Sequence, residues 1–319
     1  MKLFLKYLQP IFFLILGAGL LTWSLNGINF NNFTESLINI PLKWVFISMT
    51  LGYLAFIFRA LRWKLLIESI GFSSNNYNLV HSIAFGYLFN SFIPRSGEII
   101  RCTSLNKVTK IPTSKLLGHV VLERIIDFVI LLILFMVSFV FNYKYLIGFF
   151  NGISIPPNVF NYSIILLLVC FLTYSFLRKW VKSNYLQTII TFISGIKQGF
   201  LSLKKVKNQF LFWLYTFCIW ACYLFMTTIC FMCFYETSNL NIMQGLFVMV
   251  AGGLGMVVPT PTGLGSYHYF VIKALTSFNV SLEISQYFAI IVHTSQALMI
   301  IVMGGIGMWF LYMNKSFKI

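Results

Sequence analysis

Charged side chains are scarce in this chain, and acidic ones are the scarcest. Asp, Glu, Lys and Arg make up 9% of the 319 residues, and only seven residues are acidic. A soluble domain carries about 25% charged residues, so this chain cannot cover a water-facing surface. The scarcity excludes a soluble globular protein, and the 59% hydrophobic residues indicate a polytopic membrane protein.

Cysteine and histidine lack the spacing of a metal site. The six cysteines lie mostly within apolar runs, and the C-x-x-C pair Cys230 and Cys233 has no histidine or second pair near it in the sequence. Helix packing is the favoured interpretation of this pair, with redox or metal chemistry as the alternative. We therefore expect neither a metal nor another cofactor.

Long uncharged runs are abundant instead. A helix needs about 20 residues to cross a hydrocarbon core about 30 Å thick, and the alternation of a β-barrel is absent, so the predicted fold is all-α. The first run has no small-x-small cleavage site and is interpreted as a retained helix rather than a signal peptide. We predict six spanning helices, at about 7–26, 42–66, 115–142, 161–179, 208–235 and 284–313.

Two further apolar segments are interrupted by proline. One runs from about 79 to 93, stops at Pro94 and resumes to about 107; the other runs from about 241 to 258, stops at Pro259 and resumes to about 277. Each half is too short to cross the membrane comfortably. The pattern predicts two re-entrant helical hairpins.

The net charge of +16 follows the membrane side rather than a basic domain. With Lys2 and Lys6 in the cytoplasm, most other basic residues fall on the same side, including Arg59, Arg62 and the cluster from Arg178 to Lys207. This positive-inside bias predicts a multi-pass protein of the cell (inner) membrane with cytoplasmic N- and C-termini. No nucleic-acid partner is expected.

The order of elements predicts a single transmembrane domain, 1–319, made of two repeats at 1–142 and 161–319. An odd number of spans separates their starting points, so the second repeat is inverted, which is typical of transporters with a site near the bilayer midplane. A chance grouping of hydrophobic segments is the alternative. Between the repeats, 183–207 has the spacing of a basic amphipathic helix on the cytoplasmic leaflet.

The first hairpin concentrates polar and chain-breaking residues. Arginine matches phosphate oxygens with a planar fork, and a helix start with free backbone N–H groups binds anions. Alternatively, Arg95 and Arg101 are membrane anchors that Glu98 neutralises. The predicted substrate-binding residues are Asn90, Pro94, Arg95, Gly97, Glu98 and Arg101.

The third span carries ionisable residues at membrane depth. Four-residue spacing places three of them on one face, and Arg124 can reach Asp127 at i, i+3. Charged groups at this depth indicate a protein-lined cavity, while a structural ion pair between helices is the alternative. The predicted polar pathway comprises His119, Glu123, Arg124 and Asp127.

The second hairpin is nearly chargeless and rich in proline and glycine. Such a segment suits a mobile gate, and close helix packing is the alternative for Gly252, Gly253 and Gly255. The predicted gate residues are Pro259, Pro261, Gly263, Gly265 and His268.

Three motifs carry a family resemblance: the run Asn90 to Arg101, the segment Leu122-Glu123-Arg124-Ile125-Ile126-Asp127, and the run Val258 to Gly265. In order and spacing they resemble the flippase-like family, the transmembrane region of lysylphosphatidylglycerol synthases, over nearly the whole chain. The chain departs from the family pattern at Thr260 and Thr262, where small residues are usual, and at His268, where an acidic residue often follows.

The resemblance implies a lipid translocator that moves an anionic, aminoacylated or lipid-linked substrate between leaflets. The synthases carry a soluble catalytic domain after this region, whereas this chain ends at Ile319, so we expect a non-enzymatic protein with a separately encoded lipid-modifying enzyme as a possible partner. In this interpretation Arg95 and Arg101 bind the lipid phosphate. The alternatives are a membrane-embedded transferase, with Glu123, Asp127 and a histidine as acid and base, and an accessory scaffold for lipid-modifying enzymes.

Overall fold

The structure is a computed structural model that describes residues 14–150 and 203–313. Regular secondary structure in these two ranges is entirely helical, as predicted. The helices are α1 (Leu14–Ser24), α2 (Phe30–Asn39), α3 (Leu42–Ser69), α4 (Asn76–Asn90), α5 (Gly97–Thr109), α6 (Thr113–Phe141), α7 (Tyr143–Phe150), α8 (Gln209–Ile229), α9 (Tyr235–Ser238), α10 (Ile242–Val257), α11 (Ser266–Ser277) and α12 (Leu282–Met313).

Four of the described helices are long and apolar enough to cross a membrane. They are α3, α6, α12 and α8 with the 3-10 turn Cys230–Cys233 that continues it. These four confirm the spans predicted at 42–66, 115–142, 208–235 and 284–313. Helix α1 covers part of the predicted span at 7–26, while the span at 161–179 and nearly all of the helix at 183–207 lie outside the described residues.

The first interrupted segment is a pair of short helices, α4 and α5, separated by residues 91–96. At about 1.5 Å per residue the 15-residue α4 is only about 22 Å long, less than a hydrocarbon core. The two helices touch where Gly86 faces Gly97, because a Cβ on Gly97 would overlap the carbonyl oxygen of Gly86. Their re-entrant placement in a membrane remains a prediction.

The second interrupted segment is also a pair of short helices separated by a break. Helices α10 and α11 are separated by residues 258–265, which include a 3-10 turn at Pro261–Gly263. Asn241 and Gln244 form a capping box that fixes the start of α10. Gly255 allows the close approach, since a Cβ there would lie 2.8 Å from the backbone of Ser266 and Tyr267.

The long helices bring the two halves of the chain together. Helix α8 packs along α3, α12 packs along α4 and α11, and α10 packs on α6. The order of a long helix, a short pair and a long helix occurs twice, first as α3 to α6 and again as α8 to α12. The division into repeats at 1–142 and 161–319 stays a prediction that this order supports.

Candidate functional site

A cluster of buried charges lies where α3 meets α6. Arg59 and Arg62 of α3 are 3% and 0% exposed, and Asp127 of α6 accepts a hydrogen bond from each. The two distances are both 2.8 Å, from Arg59 Nη1 to Oδ2 and from Arg62 Nη1 to Oδ1. Each carboxylate oxygen of Asp127 therefore has its own guanidinium.

Glu123, one turn before Asp127, continues the cluster towards α5. Its Oε2 accepts a hydrogen bond from Arg101 Nη2 at 2.5 Å, and its Oε1 lies 3.6 Å from Arg62 Nε. Glu123 is fully buried, and the guanidinium of Arg101 stands 4.8 Å from the ring centre of Trp63. Cation–π contact of this kind favours the charged arginine away from water.

Helix spacing explains how the cluster assembles. Glu123 and Asp127 are four residues apart and Arg59 and Arg62 are three apart, so each pair lies on one face of its helix. Arg101 comes from α5 and reaches Glu123 because Gly86 and Gly97 let α5 pack closely on α4. Three helices of the first half thus supply the ionised groups.

The second half of the chain contributes polar groups through α8. Arg59 Nη2 donates to the hydroxyl of Tyr223 at 2.9 Å, and Arg62 Nη1 lies 3.4 Å from Thr216 Oγ1. Thr216 is buried and itself donates to a backbone carbonyl of α8. The cluster consequently joins α3 and α6 to α8, which begins only at Gln209.

The cluster carries more positive than negative charge. Arg59, Arg62 and Arg101 face two carboxylates, and Arg124 adds a fourth guanidinium, 3.8 Å from Asp127 and partly exposed. Arg124 is 43% exposed, so the buried groups hold one surplus positive charge. An uncompensated charge away from water is expensive, so this arrangement favours a bound anion.

Hydrogen-bond donors without a partner also favour a bound anion in the cluster. The buried nitrogens Arg59 Nε, Arg62 Nη2, Arg101 Nε and Trp63 Nε1 have no hydrogen-bond partner within the described structure. A buried donor without an acceptor costs about 1–3 kcal/mol. A phosphate group offers several acceptor oxygens together with the negative charge that the cluster lacks.

The predicted polar pathway lies on this site. His119, Glu123 and Asp127 are 5%, 0% and 9% exposed on one face of α6, and Arg124 reaches Asp127 as its spacing predicted. His119 interacts electrostatically with both Glu123 and Arg101. The structure thus gathers these four residues at one place, although their role in transport stays a prediction.

The predicted substrate-binding run is used differently from what the sequence indicated. Asn90 Oδ1 accepts a hydrogen bond from the backbone N–H of Gly97 at 2.7 Å, and the carbonyl of Ser96 accepts from Ile99 and Ile100. The expectation of free N–H groups at the start of α5 is therefore wrong at Gly97. Because Ser96 offers no side-chain cap, Asn90 caps the helix across the Pro94 break.

Glu98 is not the counter-ion that the sequence offered for the two arginines. Arg101 pairs with Glu123, and Arg95 donates from Nη2 to the carbonyl of Val257 at 3.3 Å. Within the described residues Glu98 forms no ion pair, and its buried Oε2 has no hydrogen-bond partner. Of the predicted phosphate ligands, only Arg101 lies in the buried cluster.

The predicted gate residues form a compact turn. Gly263 and Gly265 have φ of 74° and 77°, which favours glycine, and Pro261 opens the 3-10 turn that follows Pro259. A side chain at Gly265 would also overlap α1 at Gly17. His268 follows on α11, is 2% exposed, and lies with its ring centre 4.7 Å from that of His293 on α12.

The sequence interpretation missed Arg59, Arg62 and Tyr223. The positive-inside bias placed both arginines on the cytoplasmic side and named no partner for them, whereas the structure buries both against carboxylates. Their position inside the predicted span 42–66 was a signal, since a span with two arginines needs acidic partners. Tyr223 gave no signal in a helix that is aromatic throughout.

Comparison with known proteins places these features in a family. The family profile described as the lysylphosphatidylglycerol synthase TM region matches residues 11–304. Two relatives from Methanocaldococcus jannaschii are also similar to the chain. The UPF0104 membrane protein MJ1595 is 26% identical over 57% of this chain, and MJ1078 is 28% identical over 64% of it.

The chain spans 58% of the length of MJ1595 and 84% of the length of MJ1078. No solved structure matches the chain.

Proposed function

The chain belongs to the family of the lysylphosphatidylglycerol synthase TM region, and from this membership and its buried charge cluster we propose that it is a lipid translocator. Its substrate is a lipid with a phosphate group: an anionic phospholipid, its aminoacylated form or a lipid-linked intermediate. It moves this lipid between the leaflets of the cell (inner) membrane. Both termini are cytoplasmic in this proposal, and no catalytic step is included.

The observation that carries the proposal is the imbalance of charge at the site. Arg59, Arg62 and Arg101 are at most 4% exposed, and their charge exceeds that of Glu123 and Asp127 by one. A lipid phosphate would restore the balance and accept from the unpartnered donors. Removing the headgroup from water is the main barrier to lipid movement, and the cluster would offset it.

The two helix breaks supply the second element of the proposal. Arg95, at the first break, contacts the carbonyl of Val257, where α10 ends and the second break begins. If the two short pairs enter from opposite sides as predicted, their tips meet near the midplane. Separation of the tips would then open the cluster to one leaflet at a time.

Lipid movement in reconstituted vesicles tests the proposal. Vesicles containing the protein and fluorescent phosphatidylglycerol should expose inner-leaflet lipid to an external reductant faster than protein-free vesicles. Arg62→Gln should slow this movement about tenfold or more, since a hydrogen bond to a charged group contributes about 1.5–3 kcal/mol. Lys64→Gln is the matched control, because Lys64 lies on the same helix but is partly exposed and pairs with Asn76 and Glu68.

Arg62→Lys separates binding from folding. It keeps the charge that Asp127 requires but loses the planar fork, so a folded variant with slowed transport supports phosphate binding. A wild-type protein that moves neither phosphatidylglycerol, nor its aminoacylated form, nor a lipid-linked phosphate would falsify the proposal. Wild-type transport by the double variant Glu123→Gln, Asp127→Asn would show that transport does not depend on the carboxylates of the cluster.

A further inference from the structure

A pair of buried histidines lies apart from the charge cluster. His268 is the third residue of α11, directly after the second break, and His293 lies in the middle of α12. The two rings are 2% and 8% exposed, and their centres are 4.7 Å apart. The chain has only four histidines, so two of them meet here.

His293 forms a hydrogen bond to the backbone of the second break. His293 Nε2 is 2.9 Å from the carbonyl oxygen of Thr262, and because a carbonyl only accepts, this nitrogen carries the hydrogen. Thr262 has a φ of 51°, a left-handed conformation that a branched side chain rarely adopts, so its turn depends on such contacts. Helix α12 is thereby connected to the backbone of the predicted gate.

His268 has a ring nitrogen that could accept a proton. His268 Nδ1 is buried and has no hydrogen-bond partner within the described residues. Packing alone would leave this nitrogen desolvated with nothing gained in return. In the tautomer with the hydrogen on Nε2, uptake of a proton at Nδ1 would break no existing hydrogen bond.

Within the described residues no carboxylate interacts with either ring, so a proton bound there has no counter-ion and is readily released. Tyr267 is the titratable neighbour, with its ring centre 5.3 Å from that of His293, and it interacts electrostatically with Cys230. Helices α1 and α10, which pack on this turn and on α11, carry no titratable residue over their described lengths. Helix α7, which packs on α11, carries Tyr143, Lys144 and Tyr145, and α4, which packs on α12, carries Tyr77, His81 and Tyr87. On α3, which contacts α12 near Gly52, the arginines are held by Asp127.

We propose that His268 and His293 form a single-proton site that couples lipid movement to the proton gradient. This inference rests on the proposed function and names its energy source. A second proton is opposed by the first because the rings are adjacent, so the pair takes up one proton per cycle. Protonation strengthens the hydrogen bond from His293 to Thr262, since a charged donor binds a carbonyl more tightly, and proton release loosens the gate.

Proton uptake can be measured without transport. In purified protein with ¹⁵N-labelled histidine, the ring signals of His268 and His293 should change together in one step as the pH falls, and His268→Gln should shift the step of His293. His81→Gln is the matched control, because His81 is also buried with an unpartnered Nε2 but contacts the rings of Tyr77 and Phe310 instead of a second imidazole. Rings that stay neutral from pH 9 to pH 4, or that titrate independently, would overturn the inference.

Transport supplies the second readout. A pH gradient across the vesicle membrane should accelerate lipid movement several-fold in the wild type and in His81→Gln, and this stimulation should disappear in His268→Gln and His293→Gln. Wild-type movement that ignores the gradient would overturn the proton site while leaving lipid translocation intact. A wild type that moves no lipid at all would overturn the proposed function, and the ¹⁵N titration would still decide whether the proton site exists.

Discussion

Arg95 donates a hydrogen bond to the carbonyl oxygen of Val257, which lies 162 positions further along the chain. The first residue lies in the break between α4 and α5, and the second ends α10. Two interruptions that are remote in sequence are thus neighbours in space. This exposed hydrogen bond is a direct contact between the two breaks.

The first prediction concerns the backbone of Arg95. Its φ of 62° is left-handed, a conformation that glycine adopts without strain. Arg95→Gly loses one hydrogen bond, worth about 1 kcal/mol, and regains about the same from relief of backbone strain. Thermal unfolding in detergent should therefore shift little.

Arg95→Ala is the matched variant, because it loses the same hydrogen bond but keeps a Cβ in the left-handed conformation. It should be less stable than Arg95→Gly by about 1 kcal/mol. Equal stabilities of the two variants would contradict a left-handed Arg95.

The second prediction concerns Asp127. Asp127→Asn leaves Arg59 and Arg62 buried without the carboxylate that holds them, and breaking a buried ion pair from one side costs about 3–5 kcal/mol. We expect a large fall in the unfolding temperature, measured in detergent. Glu68→Gln is the control, since Glu68 is exposed and its contact with Lys64 is a weak one at 4.0 Å. Its loss should change the stability by about 0.5 kcal/mol or less.

A small effect of Asp127→Asn would require a different account of the cluster. It would mean that the arginines are hydrated or are held by groups outside the described residues. The comparison with Glu68→Gln excludes a general effect of removing one negative charge from a basic chain.

The face of α6 could be predicted from sequence, whereas its partners could not. Spacing of four aligns His119, Glu123 and Asp127, and membrane depth makes a carboxylate there conspicuous. Arg59 and Arg62 were assigned to a membrane side by the predicted topology, a criterion that ignores which way a side chain points. They are buried because α3 turns them towards α6, and this orientation depends on tertiary packing.

The positions of the helices could likewise be predicted from the sequence, whereas the contacts between them could not. Length and hydropathy located the four long helices, and Pro94 and Pro259 located the breaks. Neither signal could show that Asn90 caps α5 from across its break, or that Arg95 reaches Val257. Those contacts join residues whose distance is set only when the helices have packed.

The third prediction tests the close approach of α4 and α5. A Cβ on Gly97 would overlap the backbone carbonyl of Gly86 and come within 2.8 Å of the Asn90 amide, so Gly97→Ala forces backbone to move. Overpacking of this kind costs about 1–3 kcal/mol. Arg101 would also be displaced from Glu123, so transport should fall with stability.

Gly118→Ala is the control for Gly97→Ala. Gly118 lies inside α6, and a Cβ there meets nothing within 4 Å. Alanine favours helix over glycine by about 1 kcal/mol, so this variant should be neutral or more stable. The same sign of change in both variants would contradict the packing described for Gly86 and Gly97.

The fourth prediction isolates the contribution of α8. Tyr223→Phe removes the hydroxyl that accepts from Arg59 Nη2 at 2.9 Å and leaves every charge of the cluster in place. The loss of one acceptor for a buried guanidinium should destabilise the protein by about 1.5–3 kcal/mol. Tyr215→Phe is the control on the same helix, because Tyr215 contacts Phe58 through its ring and not Arg59.

If the cluster is a phosphate site, Tyr223→Phe should also free one more arginine donor. The affinity of this variant for a phosphate headgroup should then rise or stay the same, while the affinity of Arg62→Gln falls. A fall in headgroup affinity as large as that of Arg62→Gln would instead identify Tyr223 as a ligand in its own right, and the charge balance of the cluster would not explain binding.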